Sequence, residues 1–168
     1  LLEPVTPAVS FASAWQQADD KATRVALLQR AARTIAAHHH AGLWQADIHL
    51  DNFLLAEDRL VKLDGGGIRL SGKAGLPWNQ SLDNLALFLA QFYPRFDALL
   101  EVALAAYREV RGDDAAPFTA AALRCRVRHC RQRRQRHRCL LQPLVPLPRP
   151  PQPHLRTRRL LRPNSWRH

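Results

Sequence analysis

The sequence predicts an α+β fold, mostly helical, with one small β-hairpin set among the helices, and three observations lead there. Residues 21–40 carry Val25, Leu28, Ala31, Ala32 and Ile35 at the spacing of a helix with one buried face. Residues 82–92 and 96–110 repeat that pattern with Leu85, Leu87, Phe88, Phe92, Leu99, Leu100, Ala103 and Leu104, which are expected in the core. Between them, the apolar runs 53–56 and 60–63 flank Glu57-Asp58-Arg59, a polar segment short enough to turn one strand back on the other. With 168 residues and 46% apolar content, the chain can bury one core.

The remaining elements follow in order. Residues 10–17 read as a first helix, and helix 21–40 stops at Gly42, where a C-terminal glycine is expected. Its last turn holds His38, His39 and His40. Consecutive residues on a helix point in different directions and share one ion poorly, so these imidazoles read as structural. Gly65-Gly66-Gly67 lacks the G-x-x-x-x-G-K pattern and follows a hairpin instead of opening a helix, so it reads as a backbone turn. The connection 68–80 is short and holds Pro77. Ser81 is expected to cap helix 82–92, with Asp83 favoured in its first turn by the helix dipole. Gly112 closes helix 96–110.

Chemistry concentrates around the hairpin. Asp47 stands five residues before Asn52, and Asp64 opens an Asp-Gly-Gly directly after the second apolar run. Each alone is an ordinary loop carboxylate or turn former. Together, a D-x-x-x-x-N, a hairpin-length gap and a D-G-G form a compound signal for phosphoryl transfer. That reaction asks little covalent help from protein; it needs divalent metal to neutralise a triphosphate and a carboxylate to orient the attacking hydroxyl. Asp47 is the candidate catalytic residue. The hairpin would bring Asn52 and Asp64 to one open end, as two oxygen ligands for the Mg2+ that accompanies ATP.

These residues resemble the lipopolysaccharide kinase family (Kdo/WaaP, with InaA-like members), which shares the protein-kinase-like fold. The matching segments are residues 39–44, 47–55, 63–67 and 81–87, and the likeness covers roughly the first two thirds of the chain. The resemblance implies the mostly helical large (C-terminal) lobe of that fold and ATP-dependent phosphorylation of a sugar hydroxyl. The acceptor it implies is the heptose or Kdo of the lipopolysaccharide inner core. It also implies a cytoplasmic location, with the inner-membrane surface and a lipid-linked sugar as partners, and a His39 that packs beneath the catalytic loop. Residues 1–5 look like the last strand of the small lobe. Nothing upstream supplies a Gly-rich loop, a strand Lys or its partner Glu, so the expectation is an N-terminally truncated, inactive fragment with the small lobe absent.

Departures from the kinase pattern are informative. Gln45-Ala46 replaces the usual His-Arg, so control through a phosphorylated activation loop is not expected. His49 stands where protein kinases of the Ser/Thr type place Lys and aminoglycoside-type kinases place His, which tilts the acceptor toward a sugar and makes His49 a second candidate catalytic residue, though a loop imidazole without a role is an equal reading. Gly65 replaces the aromatic residue of D-F-G.

Charge divides the chain. Up to Asp114, 11 Lys and Arg face all 14 acids, a net −3, whereas beyond it 14 Arg and no acid give +14. The organisation expected is a kinase-like lobe over 1–117, a basic helix over 118–138 and an Arg/Pro-rich tail over 139–168. Such a tail could neutralise nucleic-acid phosphates or meet anionic lipid. Its bias to Arg, Pro, Leu and Cys favours a shifted reading frame instead, and nucleic acid is disfavoured as a partner. Cys125, Cys130 and Cys139, with His129 and His137, do not match a zinc spacing, and an odd cysteine count suits reduced thiols. No run reaches the length of a transmembrane helix. Two other functions stay open: a small-molecule kinase related to aminoglycoside or choline phosphotransferases, and a non-catalytic basic scaffold or nucleic-acid-binding protein.

Overall fold

Helix formation starts at two capped ends. In the computed structural model, which describes residues 8–56, 59–63, 66–71, 75–112 and 119–141, Ser10 accepts a hydrogen bond from the Ser13 amide at 3.0 Å and opens α1, Phe11–Gln17. Asp20 accepts from the Thr23 amide at 2.8 Å and opens α2, Lys21–His40. The Thr23 hydroxyl and amide hold the Asp20 carboxyl below its ordinary value, because both bonds favour the ionised form. At the other end the Ala41 amide reaches the Ala37 carbonyl, and Gly42 turns the chain at φ 76°, a left-handed position that costs a side-chain-bearing residue about 1 kcal/mol or more. The expected bounds of this helix are the observed ones. Leu28, Ala31, Ala32 and Ile35 are buried as the spacing requires, and His39 joins them.

The expected hairpin is present with a shifted boundary. Strand β3, Phe53–Ala56, pairs antiparallel with β4, Arg59–Lys62, with Phe53 opposite Lys62 and Ala56 opposite Arg59. Arg59 therefore belongs to a strand and not to the turn, while Leu63 lies past the strand and is 57% exposed. Glu57 and Asp58 lie outside the described residues. Three further strands were not expected from the sequence. β1, Ala8–Ser10, pairs with β3 to complete a three-stranded sheet in the order β1-β3-β4. β2, Leu43–Gln45, pairs with β5, Ile68–Leu70, inside the segment read as a plain connection. Segments of three residues carry no usable alternation, and each is held by a partner distant in sequence.

The second half corrects several sequence expectations. Helix α3 spans Trp78–Leu89 and begins after Pro77, so Ser81 is not its cap. The Ser81 amide bonds to the Pro77 carbonyl at 2.9 Å and its hydroxyl to the Leu76 carbonyl at 3.3 Å, which makes it a buried residue inside the helix. Proline lacks an amide hydrogen and is well placed ahead of a helix, and this moved the start upstream. Asp83 consequently lies beyond the first turn and pairs with Arg126 instead of the helix dipole. The helix also ends early, since Gln91 and Phe92 make tight bonds back to the Phe88 and Leu89 carbonyls. The expected helix 96–110 is two pieces, a 3-10 segment Pro94–Leu99 and then α4, Leu100–Arg111, closed by Gly112 at φ 94° as anticipated.

α5, Ala120–Leu141, continues three residues beyond the end expected at Arg138. Leu123 and Val127 are fully buried in the same core as α2, α3 and α4, and Arg131 ties the helix down by donating to both Asp97 oxygens and to the Phe92 carbonyl. Around Phe88 the rings of Phe11, Phe53 and Phe92 meet edge-on at 5.6–5.8 Å, which docks the hairpin onto α3. Leu87, expected in the core, is only partly buried. The architecture is thus α+β, mostly helical with small antiparallel sheets. Residues 1–7, the tail from 142 onward and the side chains of 137–141 lie outside the described residues, with the expectations attached to them. Among the described residues no helix is long and apolar enough to cross a membrane.

Candidate functional site

Between β2 and β3 the chain alternates between buried and exposed residues without being a strand. Gln45 and Ile48 are buried, whereas Ala46, Asp47 and His49 face outward. Ile48, 2% exposed, is the apolar plug that forces its two neighbours into solvent. Three backbone anchors then hold the segment. The Asn84 amide donates to the Gln45 carbonyl at 2.6 Å, and the Ala46 amide donates to the Gly67 carbonyl at 2.8 Å. Gln91 donates from Nε2 to the Ile48 carbonyl at 2.7 Å and accepts the Leu50 amide on Oε1 at 3.1 Å. A Cβ added to Gly67 would lie 3.3 Å from the Asp47 nitrogen, so this approach of two segments is tight for any residue with a side chain.

On that clamped loop Asp47 and Asn52 meet. Asn52 Nδ2 donates to Asp47 Oδ2 at 2.8 Å, and Lys62 Nζ donates to the Asp47 carbonyl at 3.0 Å. A 3-10 turn, Leu50–Asn52, brings Asn52 back toward Asp47 by way of its amide bond to the His49 carbonyl at 3.1 Å. The Leu63 amide donates to the Asn52 carbonyl at 2.9 Å, so the end of β4 reaches the same place. The structure thus brings Asp47 and Asn52 into direct contact. His49 is on the same loop with its ring exposed. Asp64, the residue after Leu63 in sequence, lies outside the described residues.

Beneath the loop runs a buried polar chain that joins three helices. Asn84 spends its N–H on the Gln45 carbonyl, so its Oδ1 must accept from His39 Nε2, 3.0 Å away. His39 Nδ1 is then the acceptor for the Tyr107 hydroxyl at 2.7 Å. Burial drives the His39 pKa down to about 4, with the Asn84 bond acting in the opposite direction, and pushes the Tyr107 hydroxyl up to about 12. Both groups are neutral at pH 7, as the bonding requires. His38 turns elsewhere, to the Gln45 side-chain amide, and its pKa is lowered by burial and then by Lys62. His40 is exposed. The three imidazoles thus have separate surroundings.

Asn84, Gln91 and Tyr107 escaped the sequence reading. The available signal was a polar residue at a core-facing position of an apolar helix, where only a buried hydrogen-bond partner makes it tolerable. Among the described residues no three His, Cys, Asp or Glu side chains converge. Among the described residues, a cation at this loop would draw on Asn52 Oδ1. The donor set suits a hard cation: Asn52 Nδ2 is committed to Asp47, which leaves Oδ1, an oxygen, as its available atom. Compared with known proteins, the chain matches no family model, no curated protein and no solved structure.

Proposed function

We propose that this chain carries the phosphate-transfer lobe of an ATP- and Mg2+-dependent kinase acting on a sugar hydroxyl, with the heptose or Kdo of the lipopolysaccharide inner core as acceptor. The observation that carries the reading is the 2.8 Å bond from Asn52 to Asp47, made on a loop whose flanks are clamped while the carboxylate stays exposed. A carboxylate with one oxygen engaged keeps the other for an incoming alcohol. As the acceptor oxygen bonds to the γ-phosphorus, the bond to the bridging β-γ oxygen breaks, ADP leaves, and Asp47 takes the hydroxyl proton. Asn52 and Asp64 would hold the metal, which when bound neutralises charge on the transferring phosphate. His49 would contact that phosphate. The reading expects a cytoplasmic protein working at the inner-membrane surface.

Incubation of a parent protein that carries both lobes with Mg-ATP labelled at the γ-phosphate and heptose- or Kdo-bearing acceptors tests it. Transfer lost in Asp47→Ala with nucleotide binding retained supports the assignment. Normal turnover in that variant overturns it. A preference for an aminoglycoside or choline would move the activity to that class of kinase.

A further inference from the structure

A second concavity lies between β2, β5, α3 and α5. Two adjoining hollows of about 480 and 530 Å3 share Trp44 and Asp83, a size that suits a small-molecule ligand. The larger is bounded by Leu87 on α3 and by Arg126, His129 and Arg133 on α5. The smaller adds Arg69, whose guanidinium lies 5.3 Å from the centroid of the Trp44 ring. Among the described residues Asp83 is the single acid lining either hollow, and Arg126 already engages it. Arg69 and Arg133 are left as a cationic excess with no carboxylate within 4.0 Å among the described residues.

Two kinds of surface therefore meet in one groove. Trp44 and Leu87 supply an apolar face of the sort that receives a ring or a short chain. Guanidinium groups supply paired donors in a planar fork, which matches a phosphate better than a point charge does. We infer that this groove binds a phosphate-bearing small molecule, with the anionic group held by Arg133 or Arg69 and the organic part laid against Trp44 and Leu87. The inference does not rest on the phosphotransfer reading, because neither Asp47 nor Asn52 lines the groove.

The shared chemistry is a phosphate ester, either free or as a lipid headgroup, and the experiment separates these sources. The full chain is titrated with inorganic phosphate, with glycerol 3-phosphate, and with phosphatidylcholine vesicles containing phosphatidylglycerol. Bound ligand is read by Trp44 fluorescence, with Trp44→Phe as the blank, and vesicle binding by co-sedimentation. Binding of a free phosphate that is weakened about tenfold or more in Arg69→Gln/Arg133→Gln, and unchanged in Asp47→Ala, supports the site. Arg133→Lys, which keeps the charge and loses the fork, should give a smaller loss. Vesicle binding alone, abolished in the double variant, supports the site with a lipid headgroup as its source. No binding of any probe at millimolar concentration, or equal binding by wild type and a double variant with an unchanged circular dichroism spectrum, overturns it.

Discussion

Gln91 grips the backbone on both sides of His49, donating to the Ile48 carbonyl at 2.7 Å and accepting the Leu50 amide at 3.1 Å. One side chain thereby replaces the strand partner that this segment lacks. Gln91→Leu, of similar length and without polar atoms, leaves both backbone groups unsatisfied. The expected cost is about 1–3 kcal/mol in urea unfolding, together with faster hydrogen exchange at the Leu50 amide. An unchanged exchange rate at Leu50 would show that the clamp does not hold the loop.

Acid should weaken the fold through His39. Its folded pKa of about 4 lies below the unfolded value of 6.5, so between these limits the unfolded chain binds more protons. Stability is then fully present above about pH 6.5 and is lost as the pH falls toward 4, by a total on the order of 3 kcal/mol. His38, lowered by burial, contributes with the same sign. Denaturant midpoints measured across this range should fall less steeply in His39→Gln than in wild type. Identical slopes would remove His39 from the account.

Phe53 is fully buried against Phe88, with Lys62 Nζ 5.9 Å from the centroid of its ring. Phe53→Ala should cost about 3–5 kcal/mol, through lost burial and the cavity left behind. Because β3 begins at this residue, directly after Asn52, the variant should also loosen the Asp47–Asn52 pair, seen as broadened side-chain amide resonances of Asn52. A loss below about 1 kcal/mol would mean that the hairpin is not anchored through this ring.

Asn52→Ala separates a ligand from a mere turn former. If Asn52 holds the metal, the Mg2+ concentration for half-maximal transfer by a two-lobed parent should rise roughly 10–100-fold while the folding midpoint stays nearly constant. A structural role alone would shift the folding midpoint and leave the Mg2+ dependence where it was.

Legibility in the sequence followed the range of the interactions. Helix α2 was readable because its apolar positions repeat one period and Gly42 marks its end, whereas its cap Asp20 emerged only in the structure. The hairpin was readable because β3 and β4 are neighbours in the chain. Ser81 was misread as a cap because its side chain suits that role, whereas Pro77 and burial decided otherwise. The pairings of β1 with β3 and β2 with β5 had no local trace.

By itself the sequence determined the helical periods, the hairpin, the charge division and the interval between Asp47 and Asn52, since all of these rest on residues close along the chain. Only the tertiary structure decided that Asn84, Gln91 and Tyr107 would support that interval from beneath, through contacts spanning 39, 43 and 68 residues respectively. The reason is physical: a buried polar side chain must find a partner, but its own neighbours along the chain do not say which one, because that partner is brought close only when the helices pack.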